Sequence, residues 1–220
     1  MKKILILTVA MLFVASFAFG WTVVNSKHDM RGFVSGEGTT QVCVFCHTPH
    51  QATTANRQDP LWNHSFGANS GVYGVYTSNT LNAVPTDINT AANAVPGTAP
   101  VSKLCMTCHD GLVAVNALYN APNDGAAGTL ISVTGAAALG TDLSDDHPIN
   151  FTYDAALATS DGGLKTPNST SNVTATAGEI PLYGGTMQCA SCHAVHNNTN
   201  SPFLRVANTD SALCLKCHNK

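Results

Sequence analysis

The sequence predicts a coil-rich fold with short α-helices at four marked sites, a few short β-strands, and an interior filled by something other than ordinary side chains. Three observations predict it. A Cys-x-x-Cys-His unit occurs four times, long stretches lack helical or strand period, and large apolar residues thin out beyond the first 20 positions. A chain of 220 residues has the length of one domain or two small ones. With so little Leu, Ile and Phe in its later part, it is too poor in large apolar side chains to build a strong conventional core.

The N-terminus comes first. Residues 1–20 read as a secretory signal peptide: Met1-Lys2-Lys3, an apolar run from Ile4 to Phe19, and the small residues Ala18 and Gly20 before a cut that leaves Trp21 leading. The run is short for a membrane span and no positively charged stop follows it. Residues 21–220 are then expected as one exported domain without a membrane span, extracellular or at the cell surface, with the periplasm as the alternative. Charged residues make up 10% of the chain, the formal net charge is −3, and no basic block is present. No segment could therefore track a phosphate backbone or an anionic membrane, and nucleic acid is not expected as a partner.

The cysteines define the marked sites. All eight fall in pairs: Cys43 and Cys46, Cys105 and Cys108, Cys189 and Cys192, Cys214 and Cys217. Each pair is followed at once by a histidine, namely His47, His109, His193 and His218. This is the attachment signal of c-type haem. Two thiols three positions apart on a helical turn can add to the two vinyl groups along one porphyrin edge, and the next residue then points an imidazole at the iron. Tetrathiolate zinc uses the same cysteine spacing but gives no reason for a histidine after every pair. Disulfides across a Cys-x-x-Cys are usually redox-active, and four of them in one chain would be odd. The expected cofactor is four haem c groups with their iron, and the expected fold is a multihaem cytochrome c whose haems form the core.

The far face of each iron separates a carrier from an enzyme. Electron-transfer haems are six-coordinate, whereas catalytic haems keep a position open. Of nine histidines, four are proximal and five remain: His28, His50, His64, His147 and His196. Four close every iron, so bis-histidine ligation, electron transfer and no enzymatic activity are expected, with one histidine to spare. Met30, Met106 and Met187 are the weaker alternatives and are as readily packing residues. His50 and His196 each follow a proximal histidine by three residues; neither can reach around the porphyrin to the same iron, but each can reach a neighbouring one. Pro148 biases His147 toward extended backbone. A reductase would need an open iron, and no Cys-x-x-Cys-Lys variant is present.

The chain also echoes itself, imperfectly, over approximately 21–120 and 141–220. Gln41-Val-Cys-Val-Phe-Cys-His-Thr-Pro-His50 parallels Met187-Gln-Cys-Ala-Ser-Cys-His-Ala-Val-His196, and Lys103 to His109 parallels Ala212 to His218. Ser102 is placed to cap the turn entering Cys105, and Asp210 or Ser211 the turn entering Cys214. Short strands are expected at Val72 to Tyr76 and at Ile149 to Tyr153. Thr77 to Pro100 and Ala121 to Gly178 read as irregular.

The segments Ser26-Lys-His28-Asp, Cys43 to His50, Pro60-Leu-Trp-Asn-His64, Lys103 to Gly111 and Asp145-Asp-His147-Pro resemble the multihaem c-type cytochromes with a doubled Cys-x-x-Cys-His motif. More narrowly, they resemble outer-surface tetrahaem filament cytochromes of metal-reducing bacteria. The likeness extends over essentially the whole mature chain. It implies subunits stacked head to tail into a filament, with a histidine of one copy ligating a haem of the next. It also implies electron delivery to other cytochromes or extracellular acceptors. His28, close behind the new N-terminus, is the expected donor, or else closes an iron in its own subunit. A soluble periplasmic tetrahaem carrier and a multihaem reductase are the competing readings.

Overall fold

Among the described residues the elements are short, because Gly, Asn, Thr and Pro recur too often for a long apolar period to be sustained. A computed structural model describes residues 23–32, 39–52, 61–66, 71–89, 100–122 and 131–219; the signal peptide expected at 1–20 lies outside them. Among the described residues the α-helices are α1 at Val101–His109, α2 at Ala155–Asp161 and α3 at Cys189–Cys192. Two 3₁₀ turns, Val42–Phe45 and Cys214–Lys216, carry the first and last cysteine pairs. Among the described residues no helix is long and apolar enough to cross a membrane.

Both expected strand segments contain a strand, each reduced to two residues. Strand β1, Gly74–Val75, pairs in parallel with β2, Asp142–Leu143, and β3, Phe151–Thr152, pairs antiparallel with β4, Thr186–Met187. Gly74 stands opposite Asp142, where a Cβ would collide with the Asp142 carboxylate. Two apolar clusters sit behind these pairs. The larger joins Phe151, Tyr153, Leu157, Val173, Ile180, Leu182 and Met187; the smaller joins Tyr73, Ile88, Met106 and Leu143. Met106 and Met187 are thus packing residues.

Helix α2 falls in a stretch read as irregular. Its signal is local: the Asp154 carboxylate accepts from Leu157 N at 2.8 Å, and Gly162 ends the helix at φ 70°. Both are ordinary end signals in a segment of Ala and Thr whose apolar period is weak. The expected caps also need correction. Pro100 occupies the N-cap of α1, and Ser102 lies inside the helix, where its hydroxyl donates to Gln188 Oε1 at 2.6 Å and accepts from Cys189 N at 3.0 Å. At the last site Asn208 Oδ1, and not Asp210 or Ser211, accepts from Leu213 N at 3.2 Å. In both cases a competing acceptor or donor, distant or poorly aligned in sequence, outbid the local cap.

Gln188 is the hub between the second and third cysteine pairs. Its Oε1 accepts from Ser102 N and Oγ, while its Nε2 donates to Asn150 Oδ1 at 2.9 Å and to Thr186 Oγ1 at 2.8 Å. The residue is 1% exposed, so these groups have no water to replace it. Replacing Gln188 with Leu is expected to cost roughly 2–4 kcal/mol, because it strands several buried polar partners. Asp154→Ala should cost about 1 kcal/mol through the lost cap. Denaturant unfolding of the two variants against the parent checks both.

Candidate haem-binding site

Each site is a single turn that sets two thiols and an imidazole side by side. At sites 1, 3 and 4 the histidine amide donates to the carbonyl of the first cysteine: His47 to Cys43 at 2.8 Å, His193 to Cys189 at 3.0 Å, His218 to Cys214 at 3.0 Å. Site 2 achieves the same within α1. The turns are then pinned from outside. At site 1, residues 46–48 pair with 61–63: Asn63 N donates to Cys46 O and Thr48 N to Leu61 O, both at 2.9 Å. The Trp62 ring meets His47 edge-on, with centroids 6.2 Å apart at 87°. At site 4, Lys165 N donates to Cys217 O at 2.7 Å. The ring of His109 donates from Nδ1 to Ala137 O at 2.7 Å, and that of His193 to Pro202 O at 2.9 Å. An Nδ1–H engaged in this way fixes the tautomer and leaves Nε2 for a metal.

The fold then brings histidines together in pairs. His109 faces His28 at a centroid distance of 6.1 Å, His47 faces His196 at 6.2 Å, and His218 faces His147 at 6.5 Å. With metal–nitrogen bonds of about 2 Å, two imidazole centroids on opposite sides of one iron lie roughly 6 Å apart. Three of the four proximal histidines therefore have a second imidazole at the separation that one iron requires. In all three pairs the second ring comes from a segment far away in sequence. His28 sits against its own chain, packed on Phe203 at 4.4 Å, and not on the free arm expected of a donor to another subunit. Its proximity to site 2 outweighs its nearness to the N-terminus.

His50, His64 and His193 are placed differently. His64 is 1% exposed, with Nδ1 2.8 Å from Ser65 O, Nε2 2.8 Å from Ala114 O, and Nε2 3.4 Å from Cys108 Sγ. His50 is exposed, and among the described residues neither it nor His193 has an aromatic or imidazole ring against it.

The sites adjoin in chain order. Asn63 holds Cys46 while the next residue, His64, reaches Cys108, which joins site 1 to site 2. The thiols of Cys105 and Cys189 act on each other electrostatically, which sets site 2 beside site 3. The neighbouring Cys189 thiol and then burial push Cys105 well up. Cys192 and Cys217 are raised first by burial and then by neighbouring thiols, Cys214 among those acting on Cys192 and Cys192 among those acting on Cys217, which places site 3 beside site 4.

The residues fit a haem at these turns. Burial, and then the charges of His109, His193 and His196, hold His28 at a pKa of about 4; burial and then His47 lower His196. Both rings are thereby kept in the neutral form that ligates metal. Site 1 opens on a cleft of about 450 Å³ lined by Val42, Cys43, His47, Pro49 and Leu61, within the range of cofactor pockets. Two of the buried polar atoms without a partner, His28 Nδ1 and Trp62 Nε1, belong to rings in contact with proximal histidines. Among the described residues no group of three or more His, Cys, Asp or Glu side chains converges as a zinc site would require.

The family model of the doubled CXXCH motif matches residues 181–220, which contain sites 3 and 4. The match supports a multihaem c-type cytochrome: a protein that binds haem c covalently and works in electron transport. No curated protein matches the chain.

Sequence reasoning had no means of finding Ala137, Pro202 or Phe203, which act through carbonyls or an apolar ring and carry no motif. The pairing of His196 with site 1, across the fold from its own neighbour His193, has a direct test. His196→Ala is expected to turn one haem from low-spin to high-spin in visible absorption. Adding Cys43→Ser and Cys46→Ser should abolish the high-spin signal, whereas adding Cys189→Ser and Cys192→Ser should leave it.

Proposed function

We propose that the chain is an electron conduit of four haem c groups, each ligated by two histidines, and that copies join head to tail into a filament outside the cell. This is the arrangement of the outer-surface tetrahaem cytochrome OmcE, which the sequence resembles. The observation that carries the reading is the histidine inventory: three proximal rings face a second imidazole within the same chain, while His193 lacks one and His50 stands exposed. His50 of one copy completing site 3 of the next would satisfy both. Such a contact uses two different surfaces and does not close on itself, which is the symmetry of a filament. His64, with both ring nitrogens directed at carbonyl oxygens, is the histidine left over.

A bound haem supplies a one-electron iron couple, and two histidine ligands favour a low potential. The chain's own residues do the rest. His28, His147 and His196 close irons that a reductase would keep open, so the reading is a carrier and no enzyme. The adjacency of sites 1 to 2, 2 to 3 and 3 to 4 sets a path in sequence order. The expected signal peptide takes the protein out of the cytoplasm, where other cytochromes and extracellular acceptors are its partners.

Electron microscopy of the secreted protein tests the assembly. Wild type is expected as filaments. His50→Ala should keep four attached haems, show one high-spin haem, and yield no filaments; filaments from that variant would sink the proposed contact. A monodisperse wild-type particle would instead favour the soluble periplasmic carrier. His64→Ala should keep every haem low-spin while lowering thermal stability.

A further inference from the structure

The three histidine pairs differ in one respect that their spacing does not require. The planes of His47 and His196 are 22° apart, close to parallel, whereas those of His28 and His109 are 86° apart and those of His147 and His218 are 74° apart. What holds such an angle is normally a hydrogen bond from the second ring nitrogen. His109 has one, to Ala137 O, and His147 has one, to Pro148 O at 2.9 Å. His28 does not: its Nδ1 is buried without a partner. Its plane is held by packing, and the ring packed on it is Phe203, 4.4 Å away at 36°.

Phe203 is itself unusual. It is 5% exposed and has φ +61°. A bulky residue in the left-handed region is strained, and such strain persists only where the surroundings over-determine it. Here they do. Phe203 O accepts from Ala194 N at 2.7 Å, and the preceding Pro202 carbonyl accepts from His193 Nδ1 at 2.9 Å. One dipeptide therefore orients the proximal ring of site 3 by a hydrogen bond and the second ring of site 2 by a tilted ring contact.

We propose that Phe203 is a positioning residue that locks the His28 ring perpendicular to His109, so that site 2 is a perpendicular-plane haem while site 1 is a parallel-plane one. The inference rests on the haem reading above and concerns only how its ligands are oriented. The relative orientation of two axial imidazole planes splits the iron d orbitals differently. Near-parallel planes give a rhombic low-spin EPR spectrum, and near-perpendicular planes give a single broad feature at larger g.

The test is EPR of the oxidised holoprotein, with haem content measured in parallel. Wild type is expected to show both kinds of signal. Phe203→Leu, which frees the His28 ring, should keep four haems and lose the large-g intensity of about one haem to the rhombic class. Phe203→Tyr, which keeps the ring, should retain the wild-type spectrum. Should Phe203→Leu attach fewer than four haems, Phe203→Met is read in the same way. The proposal is overturned if the Leu or Met variant holds four haems with an unchanged spectrum, or if Phe203→Tyr loses the large-g signal with them. Failure of the haem reading itself would look different: wild type would show fewer than four haems or no low-spin signal.

Discussion

Two imidazoles can serve one iron only if separate stretches of backbone hold them rigidly on opposite sides of it. Under the proposed ligation, that constraint organises this protein. The partners in each pair are remote in sequence: His28 and His109, His47 and His196, His147 and His218. An error of an ångström in any of the intervening turns would open the pair. The short elements and abundant turns are consistent with this demand, since each ring needs its own local anchor more than it needs a long helix beneath it.

The anchors are mostly polar. Asn63, Gln188, Asn150, Asn116, Ser102 and Ser191 are all at most 2% exposed. Asn63 donates through its amide to Val44 O and Asn120 O, and Asn150 donates to Thr86 O, so each ties distant loops together. A fully satisfied polar network of this kind specifies one geometry where two small apolar clusters alone would tolerate several. Its weakness follows from the same physics, because a buried amide deprived of its partner is costly.

The connection between sites has the same character. Ser102 lies on the helix of site 2, Gln188 immediately before site 3, and their bond places Cys105 against Cys189. Sites 1 and 2 are joined by the consecutive residues Asn63 and His64. Distance between redox centres governs electron transfer, so these few hydrogen bonds bear on function as directly as the ligands do. Phe203 extends the idea from position to orientation.

The sequence by itself determined the attachment chemistry, because a thiol pair and an imidazole on one turn are a local arrangement that spacing alone specifies. It also located β1 and β3 roughly, within Val72 to Tyr76 and Ile149 to Tyr153. It was less legible for α2, whose cap and terminal glycine were present without a strong apolar period, and for Ser102, whose distant partner Gln188 no local rule reveals. Only the tertiary structure decided which histidines meet. Along the chain all five spare histidines are candidates, and spacing does not say which one is left over. Folding buries His64 between two carbonyls, carries His196 across to site 1, packs His28 on Phe203 and leaves His50 outside. Those outcomes depend on contacts between segments many residues apart, and local spacing holds no information about them.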